Sequence, residues 1–78
     1  MKEVIIYTTD TCGYCKIAKD FFTSNNIAYT EHNVGTDLEA RKQMIDRSGQ
    51  MGVPVIFVGD RMVVGFDKNK LSNLLEIA

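Results

Sequence analysis

Two thiols stand three positions apart in Thr11-Cys12-Gly13-Tyr14-Cys15-Lys16, and they are the only cysteines of the 78 residues. A thiolate attacks a disulfide sulfur, and a second thiol within reach can displace the product and leave an intramolecular disulfide behind. Residues three apart on a helix are neighbours, so this spacing brings two sulfurs within bonding distance. The pair is a poor staple, because closing so short a loop removes little unfolded-chain entropy. Dithiol redox exchange is the chemistry in view, with two inert, half-buried thiols as the bland alternative. A zinc site usually needs four ligands, and His32 is the one further soft donor, so no metal site is expected.

Such a pair needs a strand to deliver it and a helix start to activate it. Val4-Ile5-Ile6-Tyr7 is a continuous β-branched and aromatic run, read as a strand buried on both faces. Thr8 to Thr11 form a polar turn, with Asp10 or Thr11 available as helix cap. From Cys12 to about Asn25, apolar residues at Cys15, Ala18, Phe21 and Phe22 mark one helical face, with Lys16, Lys19 and Asp20 pointing elsewhere. The helix start offers backbone N–H groups to Cys12 and favours its thiolate. Cys15 falls on the buried face and should be the less accessible thiol. Ile27 to Val34 alternates weakly and reads as a half-exposed edge strand, with His32 solvated on it.

Thr36-Asp37-Leu38-Glu39 matches a capping box, with Thr36 as cap. Leu38, Met44 and Ile45 give the helix that follows its apolar side, and Gly49 its left-handed stop. Val55-Ile56-Phe57-Val58 is a second central strand, and Gly59-Asp60 turns it back into Arg61-Met62-Val63-Val64. Asp67 can cap a last helix with Leu71, Leu74, Leu75 and Ala78 on one face, and Phe66 can staple to Leu71. Met44, Met51 and Met62 are read as core or loop packing. The order β-α-β-α-β-β-α predicts an α/β four-stranded mixed sheet with three helices: the first two strands parallel, a closing antiparallel hairpin, and the two apolar strands in the middle.

A chain of this length is expected to form one small domain over residues 1–78. The hydrophobic share of 45% suits a globular domain. A net charge of −1 without a basic run argues against a nucleic-acid partner, and no stretch reaches the roughly 18 apolar residues of a membrane span. The apolar start is too short for a signal peptide, so a cytoplasmic location is expected, where a Cys-x-x-Cys pair is more often reactive than structural. A monomer is expected.

Cys12-Gly13-Tyr14-Cys15 after the first strand, Gly52-Val53-Pro54 before the third and Gly65-Phe66-Asp67 before the last helix together resemble the glutaredoxin branch of the thioredoxin fold. The likeness runs over essentially the whole chain and extends to small bacterial glutaredoxin-like and NrdH-redoxin proteins. It implies a cis peptide bond between Val53 and Pro54, lying against the cysteines, with the Val53 backbone pairing with an extended thiol substrate. On the same likeness, Tyr14, Gly65, Phe66 and Asp67 join Val53 and Pro54 as substrate-binding candidates. Asp67 would hold the amino group of a glutathione molecule, and Arg41 or Lys42 its glycyl carboxylate; the plainer roles are a helix cap for Asp67 and an ordinary exposed aromatic for Tyr14.

The expected mechanism makes Cys12 the nucleophile and Cys15 the resolving thiol. Gly13 stands where many glutaredoxins carry proline, and its flexibility should alter the redox potential. Two departures from the family pattern bear on the electron donor. Asp10 stands where glutathione-using glutaredoxins usually carry a base, and opposes a Cys12 thiolate by about 0.5–2 kcal/mol, countered by the helix start and Lys16. Val64-Gly65 replaces a Gly-Gly pair. These favour a dithiol carrier with no bound cofactor, recharged by a thioredoxin-reductase-type flavoprotein and serving a disulfide-bearing reductase or peroxidase. A glutathione-dependent glutaredoxin is the alternative, followed by a noncatalytic metal or iron–sulfur scaffold.

Overall fold

The computed structural model describes residues 3–76 and orders them as β1 (Val4–Thr8), α1 (Gly13–Ser24), β2 (Thr30–Asn33), α2 (Leu38–Ser48), β3 (Val55–Val58), β4 (Arg61–Val64) and α3 (Lys68–Leu75). The sheet order is β2-β1-β3-β4. β1 runs parallel to β2 and antiparallel to β3, and β3 and β4 form an antiparallel hairpin. The two apolar runs are therefore the central strands, and all four residues of β3 are buried.

Side chains of a strand alternate between its faces, and the two cores follow that period. Val4, Ile6, Ile56 and Val58 pack with Ala18, Phe22 and Leu71, so α1 and α3 cover one face. Tyr7, Val55 and Phe57 pack with Ala40 and Met44, so α2 covers the other. Phe66, half-buried before α3, joins the first core and meets the Phe21 ring edge-on at 5.7 Å, in line with a staple beside buried Leu71. Ala78 lies outside the described residues.

Gly49 ends α2 at φ 70°, a left-handed conformation that a side chain would disfavour. Asp67 caps α3, accepting the Lys70 N–H at 3.1 Å. Four local expectations need correction. The second strand covers only Thr30–Asn33, with Ile27 and Tyr29 before it packed on the core. The cap of α2 is Asp37, which accepts the Ala40 N–H at 3.1 Å, whereas Thr36 turns back toward the Asn33 carbonyl. Leu38, at the first position of α2, faces solvent at 73% exposed, and the core position is taken by Ala40, one turn before Met44. His32 is half-buried and stacks on Tyr7 with ring centroids 5.4 Å apart, where a solvated side chain was expected.

Candidate active site

The sheet register decides what surrounds the cysteines. β1 and β2 both run toward the end where Thr8 stands beside Asn33, so α1 and α2 start at that end. Tyr7 pairs with Val55 and Val55 with Val64, which brings the start of β3 and the finish of β4 to the same end. Pro54, Gly65 and the start of α3 follow there. One end of the sheet thus gathers three helix N-termini, with Cys12, Asp37 and Asp67 as their caps.

Cys12 caps α1 itself, in the position expected for Asp10 or Thr11. Its backbone is extended, and its Sγ accepts the Cys15 N–H at 3.1 Å. Sulfur here takes the role usually filled by a serine or aspartate oxygen, and a developing thiolate gains from the same N–H and from the helix dipole, by about 0.3–1 kcal/mol. The two cysteines are joined as a disulfide with Cα atoms 5.2 Å apart. Their surroundings differ. Cys15 is 1% exposed against Ala18 and Phe22 on the inner side of α1, while Cys12 is only half-buried.

Of the other expected site residues, Tyr14 is exposed at 66% beside the pair. The Val53–Pro54 bond is cis, with Pro54 buried and Val53 half-buried against the α2-side core. The Gly65 N–H donates to the Pro54 carbonyl at 2.8 Å, tying the entry of α3 to the proline loop, and Gly65 takes φ 80° to do so. Arg41 and Lys42 are exposed on α2. Among the described residues no three His, Cys, Asp or Glu side chains gather as metal ligands.

The opposite flank of Cys12 holds an open cleft of about 570 Å³ between α1 and β2, lined among others by Asp10, Cys12, Lys16, Lys19, Tyr29 and Glu31. Glu31 Oε2 accepts both the Thr8 hydroxyl at 2.7 Å and Lys19 Nζ at 2.9 Å. The Thr8 bond first and the Lys19 bond second hold the Glu31 carboxyl below its ordinary range, and the same pairing raises Lys19. Asn33 Nδ2 donates to Asp10 at 2.7 Å while Asn33 Oδ1 accepts the Gly35 N–H at 2.9 Å, so the amide is fixed from both ends. Local sequence pattern carries no trace of this cleft. Its one prior signal is the parallel β1–β2 pairing, which sets the polar side of α1 beside Glu31 and Asn33.

The glutaredoxin family model matches residues 4–63. The chain belongs to the glutaredoxin family. A glutaredoxin-like 8.6 kDa protein of the rubredoxin operon in Clostridium pasteurianum, itself uncharacterized, is 41% identical over 91% of this chain and 95% of its own length. Glutaredoxin 3 of Escherichia coli K12 is 37% identical over 86% and 81%. Among solved structures, the thioredoxin-like protein BC3987 in its T8A form is 33% identical with a TM-score of 0.93, full-length on both sides. The glutaredoxin of Archaeoglobus fulgidus is 26% identical with a TM-score of 0.85, over 96% of this chain and 87% of its own. Family and cysteine pair together make this glutaredoxin a thiol–disulfide oxidoreductase. No helix among the described residues is long and apolar enough to cross a membrane.

Proposed function

We propose that this glutaredoxin is a dithiol electron carrier, recharged by a thioredoxin-reductase-type flavoprotein and delivering electrons to a disulfide-bearing reductase or peroxidase in the cytoplasm. The observation that carries the reading is the asymmetry of the two thiols. Cys12 is half-buried at the cap of α1 with an N–H on its sulfur, and Cys15 is sealed beneath it. In the reduced form the Cys12 thiolate attacks a substrate disulfide and expels one thiolate. Cys15, once deprotonated, attacks Cys12 Sγ and expels the second, so two electrons pass to the substrate and the Cys12–Cys15 disulfide forms.

Substrate enters against the Val53 backbone and the cis-proline loop, with Tyr14, Gly65, Phe66 and Asp67 around it. Two features support the flavoprotein over glutathione as donor. Asp10, held by Asn33, sets a carboxylate where a base would help draw in an anionic thiol. Val64, half exposed at the end of β4, puts a side chain where a glycine would leave room for a small peptide's backbone.

Glutathione stays the alternative co-substrate on one observation. Asp67 and the left-handed Gly65 still stand at the same end of the sheet as Cys12. NADPH supplied with thioredoxin reductase, or with glutathione and glutathione reductase, separates the two while reduction of a protein disulfide is followed. Efficient turnover is expected in the first system; turnover confined to the second overturns the donor assignment.

A further inference from the structure

The cleft between α1 and β2 opens on Cys12 from the flank opposite the proline loop, and the exchange reaction as derived leaves it unused. Lys19–Glu31 is the one ion pair among the described residues, so three charged groups that line the cleft, Asp10, Lys16 and Asp20, stand outside it, and of these Asp10 and Lys16 are nearest to Cys12 in sequence. Lys16 stands one helical turn beyond Cys12, its N–H donating to the Cys12 carbonyl at 3.4 Å. Asp10 stands on the loop before Cys12, with its carboxylate held by Asn33. An ammonium and a carboxylate thus line the same cleft as Cys12, which stands between them in sequence.

We propose that this cleft is a subsite for the charged end of a small disulfide whose sulfur lies a short reach from both an ammonium and a carboxylate, that is, a disulfide of an α-amino-acid thiol. Lys16 receives the carboxylate and Asp10 the ammonium. The short reach follows from the helix: one turn rises 5.4 Å, so Lys16 serves a charge within a few bonds of the sulfur and not one at the end of a long peptide. Glu31 and Lys19 neutralise each other and form a wall, and Tyr29 lines it. The proposal rests on Cys12 as nucleophile. Its thiolate attacks one sulfur of the bound disulfide and releases one amino-acid thiolate. Cys15 then releases the other, the two electrons coming from the protein's own two thiols.

The test is the ratio of kcat/KM for cystine to that for 2-hydroxyethyl disulfide, which carries no charge, using the reduced protein regenerated by NADPH and a flavoprotein reductase or by dithiothreitol. A ratio cancels changes in the intrinsic reactivity of Cys12, which Lys16 and Asp10 also influence. Wild type should favour cystine, and Lys16→Gln and Asp10→Asn should each lower the ratio by about two- to fivefold, the size of one exposed charge pair. Lys70→Gln, outside the cleft, should leave it unchanged. With probes whose halves each carry charge of one sign only, Lys16→Gln should weaken 3,3′-dithiodipropionate selectively and Asp10→Asn cystamine selectively. Ratios equal in all four proteins, or lowered as much by Lys70→Gln, would overturn the subsite. Failure of wild type to reduce any of these disulfides would instead overturn Cys12 as nucleophile.

Discussion

Replacing Glu31 by alanine should cost far more stability than replacing its partner Thr8 by valine, although both changes break the same hydrogen bond. Thr8 is fully buried, 0% exposed, at the end of β1, and its hydroxyl donates to Glu31 Oε2 at 2.7 Å. Glu31 is in contact with solvent, its side chain 34% exposed, and also accepts from Lys19. In Glu31→Ala the buried hydroxyl loses its acceptor, a penalty of about 1–3 kcal/mol. In Thr8→Val the orphaned group is a carboxylate that keeps Lys19 and water, and the new methyl is buried, for a net cost of about 0–1 kcal/mol.

The double variant removes the orphan and should therefore be more stable than Glu31→Ala alone, by about 1–2 kcal/mol. Urea unfolding of the oxidised protein at pH 7, with unchanged m-values, measures all four corners of this cycle. A Thr8→Val cost equal to that of Glu31→Ala, or a double variant that loses the sum of the two, would refute the reasoning.

The same network sets a pH dependence. The Glu31 carboxyl is held low in the folded protein, first by Thr8 and then by Lys19, so its stabilisation is fully present above the unfolded value of about 4.3. It is lost as pH falls through the lower folded value. The stability gap between wild type and Glu31→Gln, followed by thermal melts, should be constant from pH 6 to 8 and shrink only in acid. Asp37→Ala should cost about 1 kcal/mol in urea unfolding as the cap of α2, and Thr36→Ala less than about 0.5 kcal/mol. Equal costs would restore Thr36 as the cap. Leu38→Ser should change stability by no more than about 0.5 kcal/mol, while Met44→Ala, at a fully buried site, should cost about 2–5 kcal/mol.

What the chain discloses in one dimension is what depends on local pattern. The apolar runs of Val4 to Tyr7 and Val55 to Val58 read as central strands because burial on both faces leaves no polar alternation. Gly49, Gly59-Asp60 and Asp67 read as stop, turn and cap because each supplies a backbone conformation or an acceptor that few residues can. Cys12 and Cys15 were legible from a spacing that only a helix start makes useful.

Local pattern misleads where two neighbours can do the same job. Thr36 and Asp37 both suit a cap, and Leu38, on the same side of the helix as Ile45 by its period, reads as core although it stands in solvent at the first position of α2. Cys12 as its own cap was missed for the same reason, with Asp10 and Thr11 standing just before it. Contacts made by distant segments leave no local mark. The Thr8–Glu31–Lys19 cluster, the Asn33–Asp10 bond and the His32–Tyr7 stack all follow from β1 and β2 lying parallel, and none is visible until they do.

The proposed exchange needs two chemically identical thiols to do different jobs. Cys15→Ser and Cys12→Ser each leave one thiol, and the alkylation rate of that thiol by iodoacetamide at pH 7, with the modified residue located by mass, compares them directly. Cys12 in the Cys15→Ser protein should react about tenfold faster or more, because it lies nearer solvent at the helix start while Cys15 is sealed beneath α1. Equal rates, or a faster Cys15, would contradict the assignment of nucleophile and resolving thiol.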